Sequence, residues 1–263
     1  MTFAVEGETL AFEAPLAAGL YRMAWQADTF KTADGHADAG SITFAGGTDG
    51  LVSVEGFGVD NVTTVTGDLA RAATEQANEA FIAGSGTAVR IATGGGQDVV
   101  VDIDATLALE VGAIDGAADL ILGFDAGDDS IALEGEASAA IDDNADGKIA
   151  WTAAATAKTA VGASDEAVAI TVASAIAVGG AEALAQTVAT LNGALDVSEI
   201  AADDDLLILA KDESGSGAIL FQYLNKDGNG QIDAAELSPI AAFADGAPDQ
   251  SDIVLVGAQA VTA

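Results

Sequence analysis

The sequence predicts a mainly β protein, a β-sandwich or a β-solenoid-like set of strands, with two or three helices. Three observations predict this class. Short apolar segments with period two recur along the 263 residues. Gly, Asp and Asn fall between them, where turns need positive φ or a side-chain acceptor. Apolar residues make up 50% of the chain, enough to bury a continuous core and too many for a disordered acidic tail.

Taken in order, residues 41–44, 51–54, 61–65, 99–103 and 106–111 alternate as half-buried strands do, and Val168, Ile170, Val172, Ile176 and Val178 continue the pattern. Two segments break it. Over 68–83, Leu69, Ala72, Ala73, Ala77, Ala80 and Phe81 share one side at helical spacing, and Gly84 supplies a stop. Over 181–191, Leu184, Val188 and Leu191 do the same ahead of Gly193. The apolar run 167–180 is too short and too rich in Ala for a membrane span. A boundary near 135–141 divides a β-rich domain, 1–136, from a second region, 137–263.

Charge narrows the partners. With 42 Asp and Glu against 8 Lys and Arg, the net charge of −34 repels phosphate backbones and anionic lipid, so neither nucleic acid nor membrane insertion is expected. There is no Cys, hence no disulfide and no thiolate site. Carboxylates crowd locally at Asp125, Asp128 and Asp129, at Asp142, Asp143 and Asp146, and at Asp203, Asp204 and Asp205. Such clusters need bulk water, high salt or a bound cation, and total charge does not choose among these.

Arrangement does choose. In the segment Asn225-Lys226-Asp227-Gly228-Asn229-Gly230-Gln231-Ile232-Asp233-Ala234-Ala235-Glu236, oxygen-bearing side chains stand at the first, third, fifth, ninth and twelfth places. Gly230 holds the sixth place, and Gln231 offers its backbone carbonyl at the seventh. Alternate side chains of a tight loop point inward, glycine permits the positive φ of the turn, and Glu236 can close the shell with both oxygens, which is the donor set of Ca2+. The loop resembles an EF-hand, but 218–224 before it reads as a strand, and Pro239 ends the helix expected after Asp233. A strand-loop-helix site holding a structural ion follows; with two Met, a sensor groove does not. Asp142, Asn144 and Asp146, with Gly147 and the Lys148 carbonyl, repeat the pattern. The twelfth place there is Ala153, so either a distant carboxylate completes the shell or the loop is an Asx-type turn with no ion.

Two further stretches suggest a family. Leu120-Ile121-Leu122-Gly123-Phe124-Asp125-Ala126-Gly127-Asp128-Asp129-Ser130-Ile131-Ala132-Leu133 is similar to the segment that follows the repeats of RTX proteins, and Gly94-Gly95-Gly96-Gln97-Asp98-Val99-Val100-Val101 resembles one degenerate RTX nonapeptide. The latter departs from GGxGxDxUx in its spacing, and a tandem array that would build a parallel β-roll is absent. Residues 203–256 resemble the ends of type I secreted, S-layer-like surface proteins, and no Lys or Arg follows Lys226. The resemblance implies an extracellular or cell-surface protein exported through type I secretion machinery by an uncleaved C-terminal signal. It also implies calcium-dependent folding outside the cell, and copies that associate as a homo-oligomer or polymer.

Enzyme signatures are missing: there is no G-x-S-x-G elbow, H-E-x-x-H helix or phosphate loop, and the sole histidine, His36, sits in a polar turn-like stretch. Trp25 and Trp151 read as core anchors rather than sugar platforms. The sequence therefore predicts a non-enzyme, a calcium-stabilised structural protein that builds or decorates a surface layer or filament. A calcium-dependent adhesin or binding module is the alternative, and a secreted hydrolase with paired carboxylates ranks third.

Overall fold

The computed structural model describes residues 3–6, 9–12, 19–25, 40–46, 52–54, 61–65, 70–72, 79–83 and 88–256, except 97, 103–104, 113, 143, 153–157, 173–175, 179, 214, 216 and 245. The fold is mainly β. In chain order the first strands are β1 (Phe3–Glu6), β2 (Thr9–Phe12), β3 (Gly19–Trp25), β4 (Gly40–Gly46) and β5 (Val52–Val54). β1 pairs with β2 and β3 with β4, both antiparallel.

From residue 61 the chain winds. β6 (Asn61–Val65), β8 (Glu79–Ala83), β10 (Val99–Asp102) and β12 (Asp119–Leu122) line up parallel in one sheet. The intervening β7 (Ala70–Ala72), β9 (Ala88–Ala92), β11 (Thr106–Val111) and β13 (Ser130–Glu134) line up parallel in another. Val62 lies beside Ala80, Ala80 beside Val99, and Val99 beside Leu120. Successive turns of the chain therefore advance by 18, 19 and 21 residues. Gly94 and Gly96 lie in the connection from β9 to β10. Both glycines adopt positive φ, 76° and 104°.

A long excursion follows. It comprises α1 (Gly135–Ile141), β14 (Trp151–Thr152), β15 (Thr159–Ala160), β16 (Ala167–Val172), β17 (Ile176–Val178), α2 (Gly180–Ala194), β18 (Leu195–Asp196), β19 (Asp205–Asp212) and β20 (Gly217–Leu224). Then β21 (Leu237–Ala244) pairs parallel with β12, and β22 (Ile253–Val256) pairs parallel with β13. The winding is thus capped by strands from the far end of the described chain. The resulting sheets run β14-β16-β19-β20-β21-β12-β10-β8-β6 and β22-β13-β11-β9-β7. The larger sheet holds strands from both sides of residue 136.

Burial explains the strand sequences. Val89, Ile91, Leu107, Leu109, Ile131 and Leu133 of the five-stranded sheet meet Phe81, Ile121, Leu207, Leu209, Leu220 and Phe243 of the nine-stranded one in a first core. The opposite face of the larger sheet packs Val168, Ile170, Leu206, Ile208, Phe221 and Tyr223 against Leu191 and Leu195 in a second core, with Leu184 and Val188 of α2 partly buried over it. Covered on both faces, β19 reads as the continuous run Leu206-Leu207-Ile208-Leu209-Ala210. On the smaller sheet, Arg90 of β9 pairs with Glu110 of β11.

Two expected helices are corrected. The described parts of 68–83 are strands β7 and β8, and Phe81 and Ala83, two apart, are both buried. Alanine at helical spacing reads as an apolar stripe, but parallel pairing with β6, β9 and β10 overrides that weak propensity. After Asp233 no helix forms: a turn leads into β21, whose Leu237 pairs with Tyr223. Pro239 is tolerated there because β12 reaches only Ala241 to Ala244, and a register shift between Leu220 and Phe221 lies beside it. α2 matches the helix expected over 181–191 and runs on through Gly193. Among the described residues no helix is long and apolar enough to cross a membrane. His36 and Ala153 lie outside the described residues, as does the Trp25 side chain; Trp151 packs partly buried against the first core.

Candidate metal centre

The Asn225–Glu236 loop joins β20 to β21 as a ladder of side-chain acceptors over backbone donors. Gly228 N–H donates to Asn225 Oδ1 at 2.8 Å, Asn229 N–H to Asp227 Oδ1 at 3.0 Å, and Gln231 N–H to Asn229 Oδ1 at 2.7 Å. Left-handed backbone at Gly228 (φ 65°) and Gly230 (φ 74°) bends the chain around these side chains. Glu236, 4% exposed, closes the loop: its carboxylate accepts from Lys226 N–H at 2.7 Å and from Asp233 N–H at 3.2 Å. That inward-folded carboxylate, with Leu224 N–H bonded to the Glu236 carbonyl at 2.9 Å, turns the chain back into β21 instead of starting a helix.

The surroundings brace the loop. Asn225 is fully buried, donates through Nδ2 to the Ile200 carbonyl at 2.8 Å, and exchanges backbone bonds with Asp203 and Asp204. The Tyr223 hydroxyl donates to the Gln231 carbonyl at 3.2 Å. Burial first, and then the charges of Glu236, Asp227 and Asp233, hold the Tyr223 phenol above its ordinary pKa. A Cβ on Gly230 would lie 3.2 Å from Ser198 Cα and Cβ, so a side chain at the sixth place would crowd Ser198.

The Asp142 loop repeats this construction. Asp146 N–H donates to Asn144 Oδ1 at 2.9 Å, and Lys148 N–H to Asp146 Oδ1 at 2.9 Å, matching the bonds of Asn229 and Gln231 place for place. Asp142 Oδ1 and Oδ2 accept from Asp146 and Gly147 N–H at 3.0 Å each. Left-handed φ recurs at the fourth and sixth places, Ala145 at 55° and Gly147 at 76°. Glu166, ahead of β16, lies where the twelfth residue would close the loop. It is 3% exposed and accepts from Asn144 Nδ2 at 2.9 Å and from Ala150 N–H at 2.8 Å. Ala150 is the ninth residue of this loop and Asp233 the ninth of the other, so Glu166 and Glu236 receive the same backbone donor. Reasoning from sequence left a distant carboxylate open and did not name Glu166, which no local spacing marks among 42 acids.

Asn225, Asp227, Asn229, Gln231, Asp233 and Glu236 are therefore brought into one loop, and Asp142, Asn144, Asp146 and Lys148 into another. The side-chain oxygens of Asn225, Asp227, Asn229, Asp233, Glu236, Asp142, Asn144 and Asp146 accept from N–H donors, and among the described residues no three acidic or histidine side chains converge as a closed metal shell. Donor chemistry nonetheless fits a hard cation: every candidate is a carboxylate, amide or carbonyl oxygen. Asn229 Nδ2 stands between two carboxylates, 2.9 Å from Asp227 Oδ2 and 3.1 Å from Asp233 Oδ2, so positive partial charge already occupies the point where they approach each other. The Asn229 oxygen faces Gln231 N–H instead.

Three other acids have a second use. Asp119 Oδ1 accepts from Asp98 N–H at 3.0 Å, Asp129 Oδ1 from Leu107 N–H at 2.8 Å, and Asp252 Oδ1 from Gly127 N–H at 3.2 Å. Each ties one turn of the winding to the turn before it. Burial raises the Asp129 carboxyl above its ordinary pKa and pushes Asp119 up to about 8, with Asp98 and Asp115 adding like charge. Comparison with protein-family models gave no match, and comparison with characterised proteins gave none.

Proposed function

We propose that the chain is a calcium-stabilised extracellular structural protein that self-assembles into, or decorates, a surface layer or filament. The observation that carries this reading is the paired construction of the two acidic loops, alike in donor ladder, in φ signs and in a buried closing glutamate. The parallel winding over 61–134 supports a β-solenoid of the RTX kind, and with it export by type I secretion. Calcium, when bound, would supply the positive charge that the side-chain and carbonyl oxygens of the loops coordinate. The chain's residues supply the rest. Glu236 and Glu166 fix each loop to its own ninth residue, the buried Asn225 ties one loop to residues 200–204, and Gly230 and Gly147 keep the bends. The strands at the ends of the two sheets, β6, β7, β14 and β22, are the natural places for strand pairing between copies.

The test is thermal unfolding by circular dichroism in calcium and in excess chelator, with light scattering of the same samples. A melting temperature higher in calcium, together with calcium-dependent scattering, is expected. Identical melting in both buffers refutes the calcium reading; a calcium-stabilised chain that stays monomeric refutes assembly and leaves the binding module.

A further inference from the structure

Ile232 is the eighth residue of the Asn225–Glu236 loop and is fully buried in the second core. It lies between Gln231, whose carbonyl is a candidate ligand, and Asp233, whose carboxylate is another. Both of its backbone groups are taken by one side chain. Ile232 N–H donates to Asn192 Oδ1 at 2.9 Å, and Asn192 Nδ2 donates to the Ile232 carbonyl at 2.7 Å. Donor and acceptor exchanged with a single residue is the bonding of an antiparallel β-bridge, made here by a side-chain amide 40 positions earlier in the chain.

We infer that Asn192 is a positioning residue for the cation loop and couples its occupancy to the docking of α2. This rests on the calcium reading above. Asn192 is next to Leu191, which is buried in the second core, and Leu184 and Val188 lie over that core from the same helix. The amide therefore has a fixed anchor, and holding Ile232 fixes the backbone on both sides of the seventh and ninth ligand places. A coupling of this kind is reciprocal: filling the loop stabilises the C-terminal half of α2 to the extent that α2 favours filling.

The experiment uses the full chain carrying Asp142→Ala and Asp146→Ala, so that calcium titration calorimetry reports this loop alone. Replacing Asn192 by Ala leaves two buried backbone groups without their partner, and a loss of about tenfold in calcium affinity is expected. Leu184→Ala, a packing change on the same helix that leaves the Asn192 amide in place, serves as the comparison and is expected to lower the melting temperature with a smaller loss of affinity. Amide exchange of the parent chain gives a readout independent of whether the Asn192 variant folds: calcium should increase protection at Ile232 and at residues 188–194 together. Calcium uptake with unchanged affinity in the Asn192 variant, or protection confined to the loop, overturns the coupling. A parent chain that takes up no calcium overturns the loop reading itself.

Discussion

Replacing Glu166 by Gln tests whether a residue remote in sequence closes the second loop. The carboxylate accepts two bonds, from Asn144 Nδ2 and from Ala150 N–H, and is 3% exposed. A Gln amide offers one oxygen, so one donor meets a donor. Losing a hydrogen bond to a charged acceptor and leaving a buried N–H unpaired costs about 2–4 kcal/mol, offset in part because a buried charge is also removed. A net loss of about 2 kcal/mol corresponds to a fall of roughly 4–8 °C in Tm for a chain of this size. The assay is melting by circular dichroism in chelator and again in calcium. Glu166→Gln should melt lower in chelator and should gain less from calcium than the parent chain. Glu136→Gln, an exposed acid in the first turn of α1, should change stability by no more than about 0.5 kcal/mol. If Glu166→Gln melts with the parent in both buffers, Glu166 does not close the loop.

Two other variants and one pH series follow from the same geometry. Ala145→Gly relieves a left-handed alanine (φ 55°) and should stabilise by about 1 kcal/mol, whereas Gly230→Ala meets both positive φ and Ser198 at 3.2 Å and should destabilise by about 2–3 kcal/mol; urea titration checks both signs. Asp119 is raised from 3.8 to about 8, so the folded chain keeps a proton that the unfolded chain releases. Its contribution to stability is full below about pH 4 and is lost as pH rises towards 8, by about 1.4 kcal/mol per pH unit at most. Asp119→Asn keeps an acceptor for Asp98 N–H and should flatten that slope in chelator between pH 5 and 8; parallel slopes for the two chains would refute the assignment.

What sequence could reveal divides along the range of the interactions. Strands β10, β11, β16 and β20 and helix α2 were legible because alternation and helical spacing are local patterns. The register between the parallel strands was not: Val62, Ala80, Val99, Leu120 and Ala242 stack in one sheet at unequal intervals, so no fixed repeat marks them. The 68–83 helix failed because alanine satisfies either period. At the loops, the places filled by side chains from Asn225 to Glu236 could be counted along the chain. Glu166 and Asn192 could not, because each reaches its loop only through folding.

The order of the turns in space differs from their order along the chain. β21 and β22 lie on β12 and β13 after an excursion of about 100 residues, whose ends must meet at an entropic cost of about 4 kcal/mol before those contacts repay it. Gly246 marks how close the join is: a Cβ there would lie 1.9 Å from the Phe124 carbonyl oxygen. Refolding should therefore proceed by quick local zippering of residues 61–134, followed by a slower capture of the closing strands. During that interval β12 and β13 present bare parallel edges, and a neighbouring chain's last strands could occupy them as readily as its own, exchanging segments between molecules.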